Sequence, residues 1–154
     1  MMCGVCGSGK TTYAKQKEKE GYIRLSIDEE MWKIYDKKEI KYPSEYEELS
    51  SKVELQLQEK LINLIKEGKN VVIDFSFWNK ENRDYYKNII KNAGGETTLI
   101  FMKADKETLQ KRLEKRNLNL SANSPFIITD EILEHHYNGF QEPKNEGEFI
   151  IVQK

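Results

Sequence analysis

Apolar positions along this chain alternate between a strand-like period and a helical one, and the alternation predicts an α/β domain with a mostly parallel sheet. Met1-Met2-Cys3 reads as a first strand, shorter than the usual run of about five or six residues. A helix follows over about Lys10–Glu20 and ends at Gly21. Tyr22–Ile27 is a second strand, and Asp28 is expected to cap a short helix through about Tyr35. Pro43-Ser44 opens the longest helix, where Ser44 and Glu47 have capping-box spacing. Tyr46, Leu49, Val53, Leu57, Leu61, Leu64 and Ile65 recur along it at helical period, a core-facing stripe that Gly68 closes. Val71-Val72-Ile73-Asp74-Phe75 is a nearly unbroken apolar run, as a strand covered on both faces requires. Asn79–Ala93 is helical and Thr97–Met102 a fourth strand. Asp105 caps a helix to about Arg116, Asn117–Pro125 is polar and loop-like, Thr129–Phe140 is the last helix, and Phe149–Val152 the last strand.

The 154 residues suit one domain, 1–154, with no repeat or linker. Apolar residues make up 38% and charged residues 33%, and no apolar stretch approaches the roughly 18 residues of a membrane span. No secretion signal is apparent, so a cytoplasmic location is expected. The net charge of −1 argues against a domain devoted to nucleic acid, although a local basic patch stays open. Cys3 and Cys6 have C-x-x-C spacing, but a structural zinc site needs four ligands and there is no second cysteine pair. Cys3 is therefore expected to end a strand and Cys6 to fill a loop position, where inward-pointing amides would lower its pKa and make it reactive.

That loop carries the most specific signal. Gly4-Val5-Cys6-Gly7-Ser8-Gly9-Lys10-Thr11 fits the phosphate-loop pattern G-x-x-x-x-G-K-[ST] at every fixed position. Glycines let the backbone close tightly around an anion, and the following helix points its positive end at it. Gly4, Cys6, Gly7, Ser8, Gly9, Lys10, Thr11 and Thr12 are the expected ATP contacts. Lys10 would meet the β- and γ-phosphates, and the Thr11 hydroxyl would meet Mg²⁺.

Ligands of open α/β sheets bind beyond the carboxyl ends of the strands. Asp74 lies there and is placed to orient Mg²⁺ with Thr11; the plainer reading is a strand-end turn residue. Phe75 follows where hydrolytic machines often place a Glu. Asp74-Phe75-Ser76-Phe77 is not the D-x-x-G of a switch GTPase, and Asn79-Lys80-Glu81-Asn82 lacks the last Asp of N-K-x-D. These departures favour transfer to an acceptor over hydrolysis. Asp28 is the expected base for an acceptor hydroxyl, or a helix cap, or both. Arg112 and Arg116 share a helix face and would steady the transferred phosphoryl group, or form a solvated basic face. The polar segment after Arg116, about 116–129, looks like a lid. Trp32, Tyr35, Trp78, Tyr85 and Tyr86, with Arg83 among them, would bracket an acceptor or simply pack.

GVCGSGKTT, RLSIDEEMW, VVIDFSFWNKENR, KRLEKR and FQEP, in that order, resemble the small P-loop kinases. This group includes zeta toxins, chloramphenicol phosphotransferase and the kinase domain of polynucleotide 5′-hydroxyl kinases. The resemblance spans nearly the whole chain. It implies a three-layer P-loop NTPase fold with a parallel five-stranded sheet in the order 2-3-1-4-5. It makes Lys10, Asp28, Arg112 and Arg116 catalytic, puts Gln141-Glu142-Pro143 near the adenine with Pro143 as a contact, and makes Arg83 face the acceptor. The expected activity is ATP- and Mg²⁺-dependent phosphorylation of a small-molecule hydroxyl. A polynucleotide 5′-end kinase and an ATP-binding regulatory module are the alternatives.

Overall fold

A computed structural model describes residues 1–36 and 39–154. The element order is β1 (Met2–Cys3), α1 (Lys10–Lys19), β2 (Ile23–Leu25), α2 (Ile27–Ile34), α3 (Ser44–Lys66), β3 (Val71–Ile73), α4 (Lys80–Asn92), β4 (Leu99–Ala104), α5 (Lys106–Asn117), α6 (Asp130–Gly139) and β5 (Glu148–Gln153). All strand pairs are parallel. The expected single five-stranded sheet appears as two ladders, β2-β3 and β1-β4-β5. Between them the chain makes a tie where β1 turns into the loop: the Gly4 N–H donates to the Ser76 carbonyl at 3.1 Å.

Alternate strand residues go to opposite faces, and the core shows it. Cys3, Leu25, Ile73, Leu99 and Phe101 pack under α3 and α4 with Val53, Leu57, Leu61, Tyr86 and Ile90. Their neighbours Met2, Val72 and Met102 pack on the other face against Ala14 of α1. A third cluster joins α5 and α6 through Leu109, Leu113 and Leu133. The expected stripe of α3 is this core: Val53, Leu57 and Leu61 are buried, and Tyr46, Leu49, Leu64 and Ile65 pack against the same cluster. Although β1 is short, both its residues are buried and registered against Ile100 and Phe101.

Helix starts differ in two places from the expected caps. Ser26, not Asp28, caps α2, accepting from the Glu29 N–H, so the Asp28 carboxylate is left free of that task. Ser44 is the first residue inside α3 and makes no side-chain cap; Glu45 instead accepts from the Lys41 N–H at 3.0 Å. Asn79, Asp105 and Thr129 cap α4, α5 and α6 through their side chains.

Arg83 does not face an acceptor. Its side chain is 1% exposed, paired with Glu146 at 2.8 Å, and also donates to the Phe77 and Gln141 carbonyls. Sequence spacing placed it among aromatic residues, but α4 turns it inward, where it clamps the 141–146 loop. Its guanidinium holds the Glu146 carboxyl below the usual glutamate range. A carboxyl whose pKa is lowered on folding adds stability above its unfolded pKa, lost as pH falls through the folded value. Arg83→Met strands Glu146 in the interior and should cost about 3 kcal/mol at neutral pH. Urea unfolding at pH 7 and below the glutamate range checks this: the penalty should shrink in acid. An unchanged midpoint at pH 7 would contradict the structural role.

Candidate active site

The Gly4–Thr11 loop runs from the end of β1 into the first turn of α1. Gly4 has φ +147°, and a Cβ there would lie 2.6 Å from the Met102 carbonyl oxygen and 2.7 Å from Ser8 Oγ. Only glycine lets the loop pass so close to β4. Lys10 Nζ folds back over this loop, donating to the Gly4 and Val5 carbonyls at 2.8 and 2.9 Å. Burial pushes its pKa down.

The loop opens onto a cavity of about 650 Å³, large enough for a nucleotide and a small second substrate. Gly4, Cys6, Gly7, Gly9, Lys10, Thr11 and Thr12 line it, together with Asp28, Asp74, Trp78, Arg112 and Arg116. Ser8 is buried behind the loop instead, its Oγ without a hydrogen-bond partner among the described residues.

Asp74, immediately after β3, accepts from the Thr11 hydroxyl at 3.3 Å through one carboxylate oxygen. Its other oxygen accepts from Arg24 of β2 at 2.9 Å. The two partners are almost fully buried, with side-chain exposures of 4% and 2%. Burial raises the Asp74 pKa, opposed by Lys10 and Arg24. Arg24 also pairs with Glu18 and Glu29. Sequence reading missed Arg24; its position on a strand two residues before Ser26 put it in the fold's interior, but nothing local announced its partner.

Asp28 sits in the first turn of α2 and accepts from the Tyr46 hydroxyl of α3 at 3.0 Å. Burial raises its pKa and the Tyr46 hydrogen bond opposes that. A carboxylate moved up from the ordinary range is a stronger proton acceptor near neutrality. Arg112 reaches the loop, donating to the Gly7 carbonyl at 3.4 Å. Arg116 is partly buried, and its Nε has no partner among the described residues. Burial lowers its pKa, with Cys6 and Asp28 opposing. A buried, unpartnered guanidinium nitrogen on the wall of a phosphate-loop cavity fits an anionic ligand.

The residues fit the implied groups. The glycine-lined loop, Lys10, Arg112 and Arg116 suit a triphosphate. The Thr11 hydroxyl and the Asp74 carboxylate offer two hard oxygens side by side, as Mg²⁺ takes when phosphate and water complete its shell. Two expected contacts lie off this cavity. Trp32 is half-buried one turn further along α2 and does not line the cavity. Pro143 is buried in the loop that Arg83 clamps and does not line it either. Within the expected lid segment, about 116–129, Pro125, Phe126 and Ile128 are buried. Ile128 exchanges two hydrogen bonds with the Asn117 side chain, and the Ile40 N–H donates to the Pro125 carbonyl at 2.9 Å.

Parallel ladders covered by helices on both faces, with a phosphate loop at the end of β1, define the fold of the P-loop kinase-like NTPases. The family model for an AAA domain, AAA_33, matches residues 1–143, and the chain belongs to that family. No curated protein sequence matches it. Among solved structures, a gluconokinase from Sinorhizobium meliloti 1021 is similar at TM-score 0.64 and 18% identity, over 98% of this chain and 79% of that one. An unliganded sugar kinase from Janibacter sp. HTCC2649 is similar at TM-score 0.64 and 17% identity, over 98% and 82%. Kti12 of Chaetomium thermophilum, in complex with ADP-AlF3, is similar at TM-score 0.63 and 18% identity, over 98% and 87%. At these identities the likeness is one of fold.

The expectation of a reactive Cys6 changes with the geometry. Its Sγ lies 3.6 Å from His136 Nδ1, whose Nε2 is 2.8 Å from the Tyr42 hydroxyl. Burial pushes the Cys6 thiol up and the His136 imidazole down, so the pair rests neutral. Iodoacetamide at pH 8 should therefore alkylate Cys6 more slowly than free cysteine, as read by mass spectrometry of the modified peptide. Faster alkylation would contradict this assignment.

Proposed function

We propose that this protein is an ATP- and Mg²⁺-dependent phosphotransferase that moves the γ-phosphate to a hydroxyl of a small molecule. The observation that carries the reading is that Asp28 shares one cavity with Lys10, Arg112 and Arg116. A binding module needs the loop and its cations. A partly buried carboxylate of raised pKa in the same cavity adds what transfer to an alcohol requires.

The loop and Lys10 bind the phosphates, Arg112 and Arg116 hold the group in flight, and Asp28 orients the acceptor. The acceptor oxygen bonds to the γ-phosphorus as the bond to the β,γ-bridging oxygen breaks. ADP leaves, and the acceptor's proton passes to the Asp28 carboxylate. Thr11 and Asp74 would hold Mg²⁺, which supplies positive charge to the phosphate oxygens when bound.

Charge along the cavity supports a small acceptor over a polynucleotide. Its lining cations, Lys10, Lys15, Arg112 and Arg116, all stand on the loop, α1 and α5. Across from them α3 presents Tyr46, Glu47, Ser50 and Glu54, and α4 presents Asn82. Among the described residues, no Lys or Arg lines that wall. A nucleic-acid track needs cations along the strand. The gluconokinase and sugar kinase similarities favour polyhydroxy compounds. The ADP-AlF3 held by the similar Kti12 supports the nucleotide-binding part of this reading, which a regulatory module would share. We infer a cytoplasmic location from the same small-molecule chemistry; no helix among the described residues is long and apolar enough to cross a membrane.

Transfer of labelled γ-phosphate from Mg-ATP is to be measured on D-glucose, D-gluconate, adenosine, chloramphenicol, UDP-N-acetylglucosamine and a 5′-hydroxyl oligonucleotide. Transfer to a small molecule, abolished in Lys10→Ala, is expected, because Lys10 offsets charge that builds in the transition state. ATP binding without transfer to any member would move the reading to the regulatory module. Transfer to the oligonucleotide alone would select the polynucleotide kinase.

A further inference from the structure

We propose that Tyr46 is a positioning residue for Asp28, fixing the carboxylate toward the acceptor and itself fixed by the segment that carries Phe126. The inference rests on Asp28 being the proton acceptor.

Ser26 caps α2, so no backbone task orients the Asp28 side chain. Among the described residues, the Tyr46 hydroxyl is its one hydrogen-bond donor, at 3.0 Å to Oδ1. That leaves Oδ2 for an acceptor hydroxyl. Other groups act on Asp28 by charge: Lys10 from α1, Asp74 after β3 and Arg116 from α5. None of these makes a hydrogen bond that would set its rotamer. Burial holds the Tyr46 pKa well above the ordinary tyrosine value, so the hydroxyl keeps its proton. A donor that stays protonated returns one oxygen of the carboxylate to the same place after every turnover.

The ring of Tyr46 is held in turn. Phe126 meets it edge-on with centroids 4.9 Å apart, and Tyr42 tilts against it at 5.6 Å. Phe126 also stacks on Tyr42 at 4.7 Å with an interplanar angle of 10°. The segment holding Phe126 is pinned at Pro125 and Ile128. A chain of contacts thus runs from the segment after α5 to the carboxylate. Tyr46 lies on the apolar stripe of α3, where its hydroxyl is the one polar departure.

The test is a double-mutant cycle on whichever panel compound the wild-type protein phosphorylates fastest. Tyr46→Phe keeps the ring and removes the hydroxyl, and kcat should fall about tenfold with the KM for ATP unchanged. In an Asp28→Asn background the same change should have no further effect on the residual rate, since a residue that acts through another loses its effect when that partner is gone. Phe126→Leu should lower kcat several-fold, about threefold, in wild type and not in Tyr46→Phe. A wild-type kcat in Tyr46→Phe, or an equal loss in both backgrounds, overturns the positioning role while leaving Asp28 in place. Full activity in Asp28→Asn, or no transfer by the wild-type protein to any compound, overturns the functional reading and this inference together.

Discussion

The buried ion pair between Arg24 and Asp74 is the interaction on which the rest of the site depends. It joins β2 to the residue that follows β3, and Asp74 passes the link to Thr11 in the first turn of α1. The two strand ladders share no continuous hydrogen-bonded register, so this chain and the Gly4 to Ser76 bond fix the loop against the β2-β3 side. A buried charge pair is costly to desolvate and gives little net stability. Its use here is positional: it sets the carboxylate beside the Thr11 hydroxyl at the mouth of the phosphate loop.

Segregated charge follows from the same layout. The Lys and Arg side chains that line the cavity come from the loop, α1 and α5, and α2 and α3 bring Asp28, Glu47 and Glu54 to it. Burial raises the pKa of Asp28 and lowers that of Arg116.

Much of the fold was legible because it rests on local rules. The phosphate loop is a contiguous motif, helix periods and the cap at Asp105 are short-range, and the apolar run at Val71–Phe75 announces a covered strand. What failed depends on long-range contact. Arg83 looked like an acceptor contact because aromatics surround it in sequence, but its partner Glu146 is 63 residues away. Arg24 and Asp74 are 50 residues apart, and nothing near either marks the pair. Trp32 lies four residues after Asp28 on α2 and does not line the cavity. Asp28 was seen as base or cap, and only the structure gives the cap to Ser26. The apolar residues Phe126 and Ile128 were visible in the lid segment, but the rings that pack on Phe126 belong to α3 and the residues before it.

The central claim is that Asp28 accepts a proton from an alcohol while the loop holds ATP. Measuring ATP affinity and phosphoryl transfer in Asp28→Asn tests it most directly. The account predicts unchanged ATP affinity and a fall in turnover of roughly 10² to 10⁴-fold. Collapse of ATP affinity would make Asp28 a structural or metal-binding residue, and unchanged turnover would remove it from the chemistry; either result contradicts the account.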